Sequence, residues 1–129
     1  VIVTHQPAVA HGALHMEALN RIHARMLDLI RHKGGEVEAI FVCPHGPESH
    51  CRCRPPLPGL LEELAERLKI NLSGVAVVVA TDEEISAART AGAQPVRIAP
   101  AGNDVSDEPV FDSLRQFSDA LLTGRLALH

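Results

Sequence analysis

The 129-residue sequence has no tryptophan, no tyrosine and only three phenylalanines, so any folded core must be built from aliphatic side chains. Long apolar runs are missing too. The longest, residues 75–80, falls far short of the roughly 20 residues that span a bilayer as a helix, so no membrane partner is expected. No basic segment followed by an apolar stretch opens the chain, and export is not indicated. Positive charge is scarce. Twelve Lys and Arg stand against sixteen Asp and Glu, a formal net charge of −4, which argues against phosphate-backbone binding and so against a nucleic-acid partner. Cysteine is limited to three residues, an odd number that does not fit a disulfide-stapled secreted domain. What remains is ordinary globular usage, 46% apolar and 22% charged, enough for a single domain over residues 1–129 that buries about two-thirds of its unfolded surface.

The apolar pattern alternates strands with helices. Val1-Ile2-Val3-Thr4 reads as a buried strand running into His5-Gln6-Pro7. Leu19, Ile22, Met26 and Ile30 recur at helical spacing within residues 14–33, and Gly34-Gly35 ends that helix. Residues 37–43 (VEAIFVC) form a second strand, followed by a proline-punctuated segment over 44–58 that holds no regular element. A helix over 60–68 precedes a third strand over 75–80, whose unbroken apolar run predicts cover on both faces. Thr81 and Glu84 fit a capping box for a helix that stops before Gly92. Residues 94–98 give a fourth strand and 99–108 a loop. Val110, Leu114, Phe117 and Leu121 mark a last helix that frays toward His129. This order predicts an α/β fold, a three-layer Rossmann-like parallel sheet with right-handed crossovers, and places any site at the carboxyl ends of the strands.

All three cysteines lie within eleven residues, as Cys43, His45, Cys51 and Cys53 in the pattern C-x-H-x5-C-x-C. Three thiolates and an imidazole suit tetrahedral zinc and not the oxygen-seeking magnesium or calcium. With all four positions filled by protein, the ion is structural. The alternative is a reduced domain with incidental cysteines, but the 44–58 loop has too few large apolar side chains to fold by packing alone. A disulfide is the weaker rival, because Cys51-x-Cys53 is poorly placed to bridge itself and one thiol stays odd. His50 is an alternative ligand to His45. Free thiols holding a metal point to a reducing, cytoplasmic setting.

Val1-Ile2-Val3-Thr4-His5-Gln6, Cys43-Pro44-His45-Gly46-Pro47-Glu48, Cys51-Arg52-Cys53-Arg54-Pro55-Pro56-Leu57-Pro58-Gly59 and Ala87-Ala88-Arg89-Thr90-Ala91-Gly92 occur in the order of one known group. The chain resembles the zinc-containing histidinol-phosphate and D-glycero-D-manno-heptose 1,7-bisphosphate phosphatases of the haloacid dehalogenase superfamily, the heptose branch more closely. The resemblance implies structural zinc on Cys43, His45, Cys51 and Cys53. It implies a phosphorylated small-molecule partner held by Thr4, His5 and Arg54, although Thr4 also reads as a turn threonine and Arg54 as a solvated loop cation. His5 stands where the family has Asn, and His11 where it has Arg, which makes that charge pH-dependent.

The same resemblance exposes what is absent. Members carry an Asp-x-Asp pair as nucleophile and acid/base on a central first strand, and no Asp-x-Asp occurs in this sequence. That strand belongs between those read at 1–4 and 75–80, so its absence is expected to leave two unpaired edges. Pro55 replaces the phosphate-orienting Lys, and Ala80 replaces the principal magnesium carboxylate, so magnesium ligands are largely missing. Asp82, Glu83 and Glu84 are better read as carboxylates favoured at a helix N-terminus. Either the chain is incomplete at its N-terminus, to which the abrupt Val1 start points, or its strands close up directly or pair with another chain, as in a homo-oligomer. Loss of one electrostatic donor typically costs about 10²–10³ in rate, and two losses predict a catalytically silent phosphatase relative with a binding or scaffold role and no catalytic residues. The alternatives are an active magnesium-dependent phosphatase whose Asp-x-Asp strand lies outside this chain, and a zinc module that only echoes the family's fold.

Overall fold

The structure is a computed structural model that describes residues 1–99 and 107–126. Most of the loop expected over 99–108, and the frayed end at His129, lie outside the described residues. The chain divides into two compact units, Val1–Arg54 and Pro55–His129.

The first unit contains β1 (Ile2–His5), α1 (Pro7–Ala10), α2 (Met16–His32) and β2 (Ile40–Cys43). β1 and β2 pair in parallel, with Ile2 opposite Ile40 and His5 opposite Cys43, so both strands finish at the same level. The long α2 provides the crossover that a parallel pair requires. α2 ends as its glycines predict: Gly34 takes the left-handed conformation (φ 82°) and its N–H reaches the Arg31 carbonyl at 2.9 Å. The core stripe read on α2 is only partly realised. Leu19 is buried and Met26 and Ile30 are half-buried, while Ile22 stays 55% exposed. β2 is shorter than the expected 37–43 strand because β1 offers four residues to pair with. α1 was not expected. Pro7 sits at its first position, where the absent N–H costs nothing, and starts a single helical turn beyond β1.

The second unit contains α3 (Gly59–Leu68), β3 (Ala76–Val79), α4 (Asp82–Thr90), β4 (Gln94–Ile98), β5 (Val110–Phe111) and α5 (Leu114–Leu122). Its three strands are parallel in the order β3-β4-β5. Leu60, Leu61, Leu64, Leu72, Val79, Ile85, Val96 and Phe117 are buried, the aliphatic core that the composition demands. Pro95 is tolerated in the middle strand for a positional reason. Gln94 donates toward β3, so the nitrogen of Pro95 faces the β5 side, where pairing begins only at Arg97 opposite Val110.

Two sequence expectations change here. Val110 belongs to β5, not to the last helix, which starts at Leu114 after an N-cap at Ser113. β3 is not covered throughout, since Val78 is 37% exposed. The strands form two parallel sheets, β1-β2 and β3-β4-β5, as the two unpaired edges expected from the absent central strand imply. They do not close up directly: among the described residues β1 pairs only with β2 and, at the β3 edge, β3 pairs only with β4.

Candidate metal centre

The site grows from the end of β2. Cys43 is the last residue of that strand and fully buried, so its thiol is held by the sheet. The chain then leaves regular structure. The N–H of Ser49 donates to the Gly46 carbonyl at 3.1 Å, and the Ser49 hydroxyl accepts the N–H of Cys51 at 3.2 Å. These two bonds fold the loop back on itself and return Cys51 and Cys53 to Cys43. Sequence reading missed Ser49, although a serine two residues before a ligand is a familiar turn signal.

The donor atoms of Cys43, His45, Cys51 and Cys53 all lie within 4.8 Å of one another. Cys43 Sγ is 3.9 Å from Cys51 Sγ and 3.7 Å from His45 Nδ1, and His45 Nδ1 is 3.2 Å from Cys53 Sγ. Two thiolates at about 2.3 Å from one tetrahedral zinc stand about 3.8 Å apart, so the sulfur spacing fits the ion. The nitrogen presented is Nδ1 of His45. His50 is not among the clustered residues, so of the two candidate imidazoles the fold brings in His45.

Two side chains grip the backbone of this loop. Nε2 of His5, from the end of β1, lies 2.9 Å from the His45 carbonyl oxygen. Arg54 Nη1 donates to the Gly46 carbonyl at 2.9 Å. The latter half-buried residue is thus not a freely solvated cation. Gly46 is buried where the chain passes close to its neighbours: a Cβ there would stand 3.4 Å from the His11 ring and 3.3 Å from the Glu48 carboxylate. The hydroxyl of Thr4 accepts a hydrogen bond from the Gln6 amide at 2.9 Å, so Thr4 is engaged locally at the strand end.

The thiols compete for negative charge. Burial works against the Cys51 thiolate. Hydrogen bonds to the Ser49 and Cys53 side chains, the Arg54 backbone and the Cys43 side chain outweigh it, and the pKa falls to about 6 from 9.0. Cys53 moves the other way, to about 12, through burial and through its hydrogen bonds and charge repulsion with Cys43 and Cys51.

In the second unit, the carboxyl end of β3 carries Asp82, Glu83 and Glu84 in the first turn of α4. Thr81 caps the helix by accepting the Glu84 N–H, while the Glu84 carboxylate accepts the N–H of Ala80, one residue earlier than a standard capping box. Asp82 pairs with Arg97 on β4. These carboxylates act as the helix-terminal groups the sequence implies.

No family model matches the chain. It is 35% identical over 128 residues to the D-glycero-β-D-manno-heptose-1,7-bisphosphate 7-phosphatase of Pseudomonas aeruginosa, covering 94% of this chain and 72% of that protein. Against the enzyme of the same name from Bordetella bronchiseptica it is 41% identical over 95 residues, covering 74% of this chain and about half, 53%, of that relative. The crystal structure of the D,D-heptose 1,7-bisphosphate phosphatase of B. bronchiseptica, complexed with magnesium and phosphate, superposes with a TM-score of 0.87 at 33% identity, over 95% of this chain and 73% of that one. By sequence and by fold, the chain belongs to the heptose bisphosphate phosphatase group of the haloacid dehalogenase superfamily.

Proposed function

We propose that this chain is a zinc-stabilised sugar-phosphate-binding domain of the heptose bisphosphate phosphatase group that carries out no hydrolysis by itself. Zinc on Cys43, His45, Cys51 and Cys53 orders the loop, and the loop in turn fixes Arg54 and His5 as groups for an anionic phosphate, with Thr4 as a further hydroxyl donor. The observation that carries the silent reading is the state of the β3 end. Ala80 stands at the metal-carboxylate position of the family, its N–H is taken by Glu84, and Asp82 is paired with Arg97. This donor set does not fit magnesium as an oxygen-rich site requires. Pro55 supplies no ammonium at the phosphate-orienting position, and no Asp-x-Asp pair occurs in the sequence.

The names of the relatives point to D-glycero-β-D-manno-heptose 1,7-bisphosphate as the substrate to test. The expected result is binding that weakens about tenfold or more in Arg54→Ala, with no magnesium-dependent phosphate release above background. Measurable release that rises with added magnesium would establish an active phosphatase and overturn the silent reading. Among the described residues no helix is long and apolar enough to cross a membrane, and nothing in the site calls for a lipid or nucleic-acid partner.

A further inference from the structure

We propose that Cys43 and Cys51 form a peroxide-sensitive modification site, in which oxidation joins the two sulfurs and expels the zinc. The proposal rests on the zinc reading of the cluster. Its basis is the unequal placement of the three thiols. Cys43 is fully buried at the end of β2, whereas Cys51 and Cys53 are partly exposed and the His45 side of the cluster faces solvent. A small oxidant therefore reaches Cys51 before Cys43, and Cys43 waits behind it with its sulfur 3.9 Å away. A disulfide needs about 2.05 Å, so one sulfur must travel about 1.9 Å. Cys43 is fixed by the strand, but Cys51 lies on a segment without helix or strand, held at its N–H by the Ser49 hydroxyl. Cys53 is the poorer partner for Cys51, because only one residue separates them.

The chemistry balances with a hydroperoxide as the named oxidant. The Cys51 thiolate attacks the peroxide, an S–O bond forms, the O–O bond breaks and hydroxide leaves, giving a sulfenic acid. The Cys43 thiolate then attacks the Cys51 sulfur, an S–S bond forms, the S–O bond breaks and a second hydroxide leaves. Two thiolates lose two electrons in all, and the peroxide is reduced by two. Zinc is left with the Cys53 thiolate and the His45 imidazole, half of the set that closes a tetrahedral structural site.

The test starts by measuring zinc content, then treats the loaded chain with hydrogen peroxide beside a chromogenic zinc chelator, and maps the products by mass spectrometry. The expected result is stoichiometric zinc release together with a peptide pair linking Cys43 to Cys51, both reversed by a dithiol reductant plus zinc. Cys51→His keeps a four-ligand set but removes the linkage, and its release should slow at least tenfold. Zinc retained under excess peroxide, release with only sulfinic or sulfonic cysteines, or a Cys51–Cys53 link would overturn the proposal. A chain that takes up no zinc defeats the zinc reading separately. The disulfide map of the metal-free chain then decides the thiol pair alone, and absence of the Cys43–Cys51 link there rejects it.

Discussion

Nε2 of His5 lies 2.9 Å from the carbonyl oxygen of His45, a contact between residues 40 apart in sequence. A carbonyl can only accept, so Nε2 carries a proton in this contact. The parallel register that sets His5 opposite Cys43 makes this reach feasible. Hydrogen bonds to a ligating side chain typically contribute about 10- to 100-fold in metal affinity, and a grip on the main chain of the candidate ligand His45 is expected at the lower end of that range. His5→Ala should therefore weaken zinc binding about tenfold in competition with a chelator of known affinity. His5→Asn should recover part of the loss, because its amide can still donate to a carbonyl.

The four clustered residues all lie within residues 1–54, and no described residue of the second unit joins them. Cys51→Ser removes one of four donors and should bring zinc content well below one equivalent per chain. Helix content by circular dichroism should change little, because α2 to α5 contain no ligand. Global unfolding of Cys51→Ser would instead mean that the metal supports the whole domain, as in self-standing zinc modules.

Arg89, in the last turn of α4, pairs with Glu108, whose side chain is only 6% exposed. Removing the cation takes one charged partner from a buried carboxylate, so Arg89→Ala should lower stability by about 1–3 kcal/mol in urea unfolding. Arg89→Lys should cost less, since the charge remains while the fork geometry is lost.

Legibility followed locality. The Cys/His cluster was readable because C-x-H-x5-C-x-C places every candidate donor within eleven residues of sequence. Strands β3 and β4 were readable from short apolar runs bounded by turn residues. β5 was not, because Val110 sits at helical spacing with Leu114, Phe117 and Leu121, and only its pairing with Arg97 makes it a strand. The N-terminus of α5 did have a local signal. Ser113 accepts the Gln116 N–H, and Gln116 reaches back to the Asp112 N–H, the same arrangement that Thr81 and Glu84 make at α4. The grips of His5 and Arg54 on the loop were illegible, since both end on carbonyl oxygens that every residue carries.

Those two matching caps give a paired test. Each hydroxyl satisfies one N–H that the helix cannot. Thr81→Ala and Ser113→Ala should each cost about 1 kcal/mol, and the double variant about the sum, because the sites share no hydrogen-bond partner. A loss confined to one of them in urea unfolding would show that the other helix start is held by packing instead.

The opposed thiol shifts set the pH dependence of metal binding. In the metal-free chain Cys51 titrates near 6 and Cys53 near 12. Its lowered folded pKa means the Cys51 thiolate contributes stability fully above its usual pKa of 9.0, and that contribution is lost as pH falls through 6. The raised Cys53 pKa works in reverse, contributing below 9.0 and fading as pH climbs toward 12. Zinc needs both sulfurs as thiolates, so between pH 6 and 9 binding must still displace the Cys53 proton while Cys51 is already ionised. Apparent zinc affinity should rise at least tenfold per pH unit across that window, and more steeply below pH 6, where the Cys51 proton must leave as well. Metal-free protein should also alkylate first at Cys51, with a midpoint near pH 6, as read by site-resolved mass spectrometry. A flat affinity profile from pH 6 to 9 would mean that Cys53 is ionised before the metal arrives.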